Sequence, residues 1–346
     1  MILYDYIILG QGIAGSVLSL KLRQQGFHVL VIDSPNPNTS SEIAAGIMNP
    51  ITGKRMTLSW DAKEFFPSAI TFYKDLELEL NSQFYFNYPV YRIFSSISEQ
   101  NDWAAKANDQ RFDSFVNKSS LTNLKNANIH NPYGAMRVEG GGRVDVSLFI
   151  ASTQNVLVAE GLFRKQHIEL NEIIKEEEHI SVGNYKTKKL VFCTGYDPIF
   201  WGFLPFTPMK GEVLEVNVAG IDTDKTLVGG CFFSPIHDGR FYAGATYDWK
   251  NFDLEPTQKA KGEILDKVSR FIKTSIQVDK HKVGIRPAVK DRRPLLGEHP
   301  DKRNIYLFSG LGSKGVSMAP LLADQLIDFM EQGAPLKQEV SLNRFL

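Results

Sequence analysis

Glycines near both ends of the 346-residue chain mark the residues that could carry chemistry. Gly10, Gly12 and Gly15 form a G-x-G-x-x-G pattern after the β-rich YDYIILG, and Asp33 follows 18 residues after Gly15. In a strand–turn–helix segment, these glycines permit a tight turn, close approach of a pyrophosphate and close packing of helix on strand. An acidic residue ending the second strand accepts hydrogen bonds from ribose hydroxyls, which disfavours a 2′-phosphate. The segment predicts a site for NAD or FAD rather than NADP, with a glycine turn that binds no nucleotide as the alternative.

A second glycine-rich segment, FSGLGSKGVSMAPLL, helps to separate NAD from FAD. Its Gly310, Gly312 and Gly315 precede an amphipathic helical pattern. A simple NAD enzyme does not require a second glycine loop so far downstream. The strand-like KLVFCTG ends in Gly195, as in two-domain FAD enzymes where such a glycine lies beside the dinucleotide. Both segments favour FAD, while a plain core strand and a plain strand-to-helix connection are the alternatives.

Composition places the chain among ordinary soluble globular proteins of one large domain or two. Hydrophobic residues make up 43% and charged residues 23%, and 39 basic residues balance 39 acidic ones. No global field would therefore attract nucleic acid or an anionic membrane. No apolar run approaches the roughly 20 residues of a membrane span, and the first strand pattern leaves no room for a signal peptide. Cys193 and Cys231 lack metal-ligand spacing, so we expect a reducing, cytoplasmic setting and no metal site. No histidine has the spacing of a metal ligand or of a partner to a nucleophile.

Segments that mix helices and strands alternate along the chain with segments that are mainly β, and both kinds must position these residues. Helical patterns cover 61–80, where Asp61 and Glu64 are spaced as a capping box, then 145–161 and about 315–330. Further helical patterns cover IAGSVLSLKLRQQG, begin near Ser98 and extend over about 256–273, and the remainder is mainly β, with a hairpin about Asp238 and Gly239. The predicted fold class is α/β, α+β overall, in which a Rossmann-like FAD-binding domain is interleaved with a mixed or antiparallel β-sheet substrate domain. The predicted FAD-binding domain comprises 1–60, 140–207 and 283–346, and the predicted substrate domain comprises 61–139 and 208–282.

The order of several short motifs resembles one enzyme family over nearly the whole chain. The motifs are GQGIAG...VID, AAGIMNP, GGGRVD, CTGYD, MKGEV, AGAT, GIRPAVKDRRPLLG and GLGSKGVSMAPLLA. In this order they resemble the superfamily of D-amino-acid oxidase, glycine oxidase and sarcosine oxidase. The resemblance implies non-covalent FAD and oxidation of a C–N bond in an amino acid or N-substituted glycine by hydride transfer to flavin N5.

The same resemblance assigns site residues. The FAD-binding positions are Gly10, Gly12, Ile13, Ala14, Gly15, Asp33, Ser34, Ala44, Ala45, Gly46, Thr194, Gly195, Gly310, Gly312, Ser313 and Gly315. Lys314 and the last helix would stabilise negative charge on the reduced flavin. Arg286 would bind the substrate carboxylate through two parallel hydrogen bonds. Met48, Asn49 and Phe232 would border the pocket. A buried ion-pair role for Arg286 and a solvated Lys314 are the alternatives.

Two departures from glycine oxidase-like sequences bear on the substrate. Phe232 stands where those sequences have a tyrosine, and Ser313 stands where they have a second arginine. The last glycine loop is similar to that of the FAD-dependent half of the bifunctional enzyme that trims carboxymethylaminomethyl to aminomethyl on the tRNA wobble uridine. We expect a small-molecule amine or amino acid as substrate and no membrane partner. Modified tRNA is the second candidate, and a non-catalytic flavin-binding subunit is the third. Lys186, Lys188 and Lys189 could form an RNA patch, but alternating lysines on a strand more often form a solvated face.

Overall fold

The computed structural model describes residues 2–34, 39–53, 55–196, 198–236 and 238–346. The polar segment SPNPNTSS after Asp33 predicts a loop, of which residues 35–38 lie outside the described residues, as does His237. The helices are α1 Ile13–Gln24, α2 Ala62–Glu79, α3 Ile97–Lys106, α4 Val146–Ala159, α5 Pro198–Trp201, α6 Gln258–Val268 and α7 Gly315–Gln332. Among the described segments, no helix has both the length and the apolarity to cross a bilayer.

The strands are numbered in chain order. They are β1 Leu3–Leu9, β2 Val29–Asp33, β3 Ile47–Met48, β4 Ile51–Thr52, β5 Thr57–Leu58, β6 Tyr85–Phe86, β7 Val90–Ile93, β8 Leu121–Thr122, β9 Ala135–Val138, β10 Gly142–Val144, β11 Phe163–Lys165, β12 Ile173–Lys175, β13 Ile180–Val182, β14 Tyr185–Phe192, β15 Met209–Asn217, β16 Thr226–Val228, β17 Phe232–Pro235, β18 Phe241–Gly244, β19 Gln277–Arg286, β20 Leu295–His299 and β21 Lys302–Ser309.

The first large sheet has a parallel centre that brings the carboxyl ends of its strands to one edge. β1 pairs in parallel with β2 and β14, β2 with β11, and β14 with β21. Tyr6 and Ile8 pack on one side of β1, in the same core as α1 and α7, whereas Ile7 and Leu9 pack in a separate core on the other side. A strand buried on both faces reads as a continuous apolar run, which is why YDYIILG predicts β1 correctly.

The second large sheet presents one face to the site. Its strand order is β19-β15-β18-β17-β16-β7-β9-β8. On the opposite face, α6 contributes Ile264 and Val268 to a core that also contains Leu214 and Phe233. The predicted hairpin is confirmed, because β17 and β18 pair in antiparallel register and the Ile236 N–H donates to the Arg240 carbonyl at 2.7 Å.

Helix ends show where local sequence rules hold and where they fail. The Asp145 side chain accepts from the Leu148 N–H at 3.2 Å and so caps α4, in agreement with the predicted start. The predicted capping box at Asp61 and Glu64 is wrong. Asp61 has a φ of 45° and its side chain makes no cap hydrogen bond. Instead, both carboxylates lie 3.0 Å from Lys337 Nζ, an ion pair that joins α2 to the segment after α7.

The two large sheets draw their strands from different parts of the chain. The first takes strands from 3–33, 163–192 and 295–309, and the second from 90–138 and 209–286. The mixed α/β fold class is thus confirmed. The exact domain limits stay a prediction, and β19 runs through the limit placed between residues 282 and 283.

Candidate active site

A cavity of about 610 Å³ lies where residues of both large sheets meet. Most of the predicted site residues line it. They are Gly10, Gly12, Ile13, Ala14, Asp33, Ala44, Ala45, Gly46, Asn49, Thr194, Gly195, Phe232, Arg286, Gly312, Ser313, Lys314 and Gly315. These residues are far apart in the sequence. The parallel centre of the first sheet and the packing of α7 against α1 bring them together.

The amino-terminal glycine loop is fixed by backbone contacts that leave no room for side chains. Gly10 has a φ of 96°, in the region that favours glycine. A methyl group at Gly15 would lie only 1.9 Å from the Gly10 carbonyl oxygen, so α1 can start this close to β1 only with glycine there. The Gln11 N–H donates to Asp33 Oδ1 at 2.9 Å and joins the loop to the end of β2. Burial raises the pKa of the Asp33 carboxyl, although that hydrogen bond opposes the shift.

Ser41 is part of the site that the sequence analysis did not identify. The Ile13 N–H, in the first turn of α1, donates to Ser41 Oγ at 3.0 Å. The helix-capping residue, Gly12, has no side chain to satisfy such a donor. The signal for Ser41 in the sequence is only its place in a polar loop before AAG, which does not distinguish it from its neighbours.

The two glycine-rich segments meet in space. A methyl group at Gly315, the first residue of α7, would lie 2.9 Å from Ile13 Cγ2, near the start of α1. Gly312 has a φ of 56°, and a methyl group there would have no neighbour within 4 Å, so its outer face is open. Neither α1 nor α7 is capped by a side-chain hydrogen bond from its capping residue. Two helix N-termini therefore border one cavity, and each favours negative charge.

Lys314 lies beside the open glycine, and its ammonium reaches the residue that follows β5. Its Nζ donates to Ser59 Oγ at 3.0 Å. Burial lowers the pKa of this ammonium below its ordinary value, and the positive charge of Arg293 adds to the shift. Ser59 was not predicted from the sequence, because nothing in the residues around it marks it as a partner of a lysine 255 positions away.

Arg286 ends β19 inside the cavity without a carboxylate partner among the described residues. Its guanidinium lies across Gly211, where a methyl group would be 2.2 Å from Nη1. Nη1 donates to the Thr246 carbonyl at 3.3 Å, and the guanidinium carbon lies 5.1 Å from the centre of the Tyr247 ring. Burial lowers the pKa of this guanidinium. A half-buried positive charge whose partners among the described residues are a carbonyl and a ring is suited to an anionic ligand.

A group of apolar residues lines the part of the cavity next to Arg286. Phe232, Gly244 and Val213 are directly opposite one another on β17, β18 and β15 and line the cavity. A methyl group at Gly244 would lie 3.2 Å from Phe232 Cζ, so glycine keeps this part of the face open. Cys231 also lines the cavity, but burial raises the pKa of its thiol to about 12, which makes it an unreactive apolar neighbour.

Four predicted site residues do not line the cavity. Met48 is buried in the core, whereas Ile47 and Asn49 on either side of it line the cavity, because successive side chains of an extended segment point to opposite faces. Gly15 lies on the side of the loop away from the cavity, where it allows α1 to pack against the Gly10 backbone. A methyl group at Gly310 would lie 2.9 Å from the Leu295 N–H nitrogen, so this glycine permits packing on β20. Ser34 follows Asp33 and is half-buried outside the lining.

The lining fits FAD. A diphosphate loop, a carboxylate suited to ribose hydroxyls, and an open glycine beside a cationic lysine are arranged around one cavity. No group of three or more His, Cys, Asp or Glu that could hold a metal occurs in the described ranges. Of the lysines considered as an RNA patch, Lys188 lies 2.8 Å from Asp5 and Lys189 lies 2.6 Å from Glu331, so both are paired within the protein.

Comparisons with known proteins agree with this geometry. A family model described as FAD dependent oxidoreductase (DAO) matches residues 5–329. The tRNA 5-methylaminomethyl-2-thiouridine biosynthesis bifunctional protein MnmC of Marinobacter nauticus is 33% identical over 36% of this chain and 22% of its own length. A glycine oxidase of Bacillus licheniformis is 31% identical over 39% of this chain and 37% of its own length. The matches thus span less than two thirds of either relative. The iminodiacetate oxidase of Chelativorans sp. BNC1 has a similar fold, with a TM-score of 0.79, 20% identity and 98% of each chain covered.

Proposed function

Because this chain belongs to the family of FAD-dependent oxidoreductases called DAO, we propose that it oxidises a C–N bond of an amino acid or an N-substituted glycine. The single observation that carries the proposal is the Arg286 guanidinium, which has no carboxylate partner among the described residues and lies in the cavity that the predicted FAD-binding loops also line. FAD supplies the hydride acceptor of this reaction. The protein's own residues have to bind the amine, orient its C–H bond and keep water from competing for Arg286.

Arg286 supports a carboxylate-bearing substrate. The guanidinium presents a planar fork that can donate two parallel hydrogen bonds to one carboxylate. Gly211 beneath it and the Tyr247 ring beside it hold the fork in place. A carboxylate bound there lies next to the open surface around Gly244, which leaves space for the reacting carbon and nitrogen. Holding the carboxylate in this way, with space for the reacting carbon and nitrogen beside it, supplies the proximity that the reaction needs.

The lining contains no acid–base pair, and the proposed reaction needs none. Asp33 is the single acidic residue among the described lining residues, and it is engaged by the Gln11 N–H. With FAD held by the glycine loops, a neutral amine bound by Arg286 would give up a hydride to the cofactor and become an iminium ion, which would release its N–H proton to water to form an imine. Water then hydrolyses that imine to a carbonyl compound and an amine. We assign Lys314, with the N-terminus of α7, to stabilising the negative charge that the cofactor gains.

The test is anaerobic reduction of the bound flavin, followed by its absorbance. We expect bleaching with members of a panel of amino acids and N-alkylglycines. Arg286→Leu should raise the substrate concentration for half-maximal bleaching by about 100-fold, since a charged hydrogen bond to a buried ligand is lost. Arg137→Leu is the matched control. Arg137 lies on β9 outside the cavity and pairs with the exposed Glu139. Unchanged kinetics of the Arg286 variant would refute the assigned role, and a flavin that no amine bleaches would favour a non-catalytic flavin-binding subunit.

Oxidation of a carboxymethylaminomethyl group on tRNA is the second candidate, favoured by the partial similarity to MnmC. That group is itself an N-substituted glycine, so Arg286 could bind its carboxylate. Bleaching by modified tRNA but by no free amine, together with RNA binding that weakens steeply with salt, would identify this function. Because Lys188 and Lys189 are paired within the protein, tRNA oxidation has less support than oxidation of a free small molecule.

A further inference from the structure

Large apolar side chains are concentrated and exposed beside the cavity, on residues 247–254, called here the entrance loop. Tyr247 is 56% exposed, Trp249 58%, Phe252 42% and Leu254 36%. Tyr247 and Leu254 also line the cavity, so the exposed surface continues into the site. A cluster of four exposed large apolar side chains within eight residues indicates a binding surface.

The entrance loop is held in place by a buried charge. Lys210 on β15 is only 1% exposed, and its Nζ donates to Asp253 Oδ1 at 2.6 Å and to the Glu255 carbonyl at 2.8 Å. The Lys210 N–H donates to the Asp248 carbonyl at 2.8 Å, and the Asp248 N–H donates back at 2.9 Å. These contacts tie the entrance loop to β15 at positions 248, 253 and 255, next to its exposed apolar side chains.

The exposed rings adjoin the carboxylate-binding arginine. The Tyr247 and Trp249 rings are stacked, with centroids 6.1 Å apart and planes at 19°. The Arg286 guanidinium carbon lies 5.1 Å from the Tyr247 centroid. A carboxylate site and an aromatic surface therefore lie within the reach of one small molecule that carries both groups.

We propose that the entrance loop binds a planar aromatic ring of the substrate while Arg286 binds its carboxylate. This inference rests on the proposed function and narrows its substrate class to N-arylmethyl glycines or aromatic amino acids. A planar ring stacks on Trp249 and Tyr247 with an energy beyond that of burying its area, which an aliphatic group of the same size does not gain. The preference for an aromatic substituent thus follows from the ring surfaces that are exposed.

Charge at the entrance favours a free small molecule over RNA. The segment 247–255 carries Asp248, Asp253 and Glu255 against the basic residue Lys250, and because Lys210 pairs with Asp253, these five residues leave one net negative charge at the entrance. A polyanion would have to approach these carboxylates to place a base on Trp249. A small monoanion meets Arg286 instead, whose charge has no carboxylate partner among the residues described.

The test measures binding of two unreactive probes to the FAD-loaded protein by perturbation of the flavin spectrum. (Benzyloxy)acetate and (cyclohexylmethoxy)acetate have the same number of heavy atoms, and an ether oxygen replaces the amine, but only the first has a planar ring. We expect the wild type to bind the benzyl probe at least about fivefold more tightly. Trp249→Leu should abolish most of that preference while leaving binding of the cyclohexyl probe within about twofold.

Phe203→Leu is the matched control, because Phe203 is 46% exposed and does not line the cavity. It should keep the wild-type preference. Equal binding of the two probes by the wild type, or an undiminished preference in Trp249→Leu, would overturn the inference.

A parallel bleaching experiment separates this inference from the proposed function. N-benzylglycine and N-(cyclohexylmethyl)glycine are compared as reductants of the flavin under anaerobic conditions. If both bleach it equally and the probes bind equally, amine oxidation stands and the aromatic preference is wrong. If neither bleaches it but the probe preference depends on Trp249, the aromatic surface stands and the proposed oxidation is wrong. Bleaching by modified tRNA alone would contradict the assignment to a free small molecule.

Discussion

The position of Arg286 depends on a neighbour that has no side chain. The Cβ atom of any other residue at position 211 would lie 2.2 Å from Arg286 Nη1 and would clash with the guanidinium. Gly211→Ala must therefore displace Arg286 from the sheet face. We expect about a tenfold loss or more in amine affinity, with the FAD affinity unchanged, because Gly211 lies on β15 away from the glycine loops. Amine titrations and FAD titrations of the variant measure the two effects separately.

Gly262→Ala is the control for this change. Gly262 is inside α6, and a methyl group there meets nothing within 4 Å. The substitution should leave both affinities unchanged and raise the stability slightly, since alanine favours a helix. Normal amine affinity in the Gly211→Ala variant would show that Arg286 tolerates displacement, or does not bind the substrate.

Lys314 should reduce the stability of the apoprotein in a pH-dependent way. Burial lowers the pKa of its ammonium in the folded protein relative to the unfolded chain. Below the folded pKa both states are charged and the folded state carries the full cost of burial; as the pH rises toward the unfolded pKa, that cost is relieved and stability increases. Lys314→Met should raise the Tm of the apoprotein by about 1–3 °C at pH 7, and by less near pH 10.

The same variant should slow the bleaching of the flavin by amines by about tenfold or more, because the charge near the reduced cofactor is removed. Thermal unfolding of the apoprotein at both pH values and anaerobic bleaching at pH 7 provide the measurements. A variant that is both less stable and equally fast would show that Lys314 acts through its hydrogen bond to Ser59 rather than through its charge.

Single residues were predictable where their type alone determines the chemistry. Spacing singled out Gly10, Gly12 and Asp33, and all three line the cavity, because few residues other than glycine fit such a loop and the acidic residue follows at a set distance at the end of the second strand. Ser41 and Ser59 were not found, since a serine hydroxyl fits many environments and its partner is set by the fold. The placement of Met48 failed for another reason: a two-residue strand gives no alternation from which to tell inward from outward side chains.

At the scale of elements, the start of α1 should be far more sensitive at Gly15 than at Gly12. A methyl group at Gly15 meets the Gly10 backbone oxygen at 1.9 Å, which only a shift of the helix relieves. At Gly12 it meets the Ser41 hydroxyl at 2.9 Å, and that side chain can rotate. We expect Gly15→Ala to destabilise the apoprotein by about 1–3 kcal/mol and Gly12→Ala by much less. FAD binding should be weakened by both changes, because a methyl group at Gly12 would also obstruct the approach of the pyrophosphate to the backbone. Equal losses of stability in thermal scans of the two apoprotein variants would mean that the contact with Gly10 does not fix the position of α1.

Elements were predictable where local chemistry settles them. The apolar run of β1 and the Asp145 cap of α4 are local signals, and both were read correctly. The cap of α2 was misread because Lys337, 276 positions from Asp61, takes the carboxylates that a local rule assigns to the helix. The strand order of the second sheet, with β16 parallel to β7, is set by contacts between distant segments that single-sequence patterns do not reveal.

At the scale of the whole molecule, FAD should stabilise both large sheets together, because residues of both line its cavity. A ligand at 100 times its Kd adds about 2.7 kcal/mol to the unfolding free energy, which corresponds to a rise in Tm of about 4 °C for a chain of this size. Thermal scans of apoprotein and FAD-loaded protein, followed by circular dichroism and by tryptophan fluorescence, should shift equally. Gly15→Ala should lose most of the shift at the same FAD concentration. A shift in one signal alone would show that the two sheets unfold independently.

The contact between Ile13 and Gly315 also determines when the cofactor can enter. During synthesis the first glycine loop emerges early, but its counterpart is made some 300 residues later. For most of its synthesis, the nascent chain therefore contains one of the two glycine loops that line the cavity and lacks the other. Cofactor loading is a late event in the life of this polypeptide, and a chain that stops short of α7 leaves the ribosome without the means to keep its flavin.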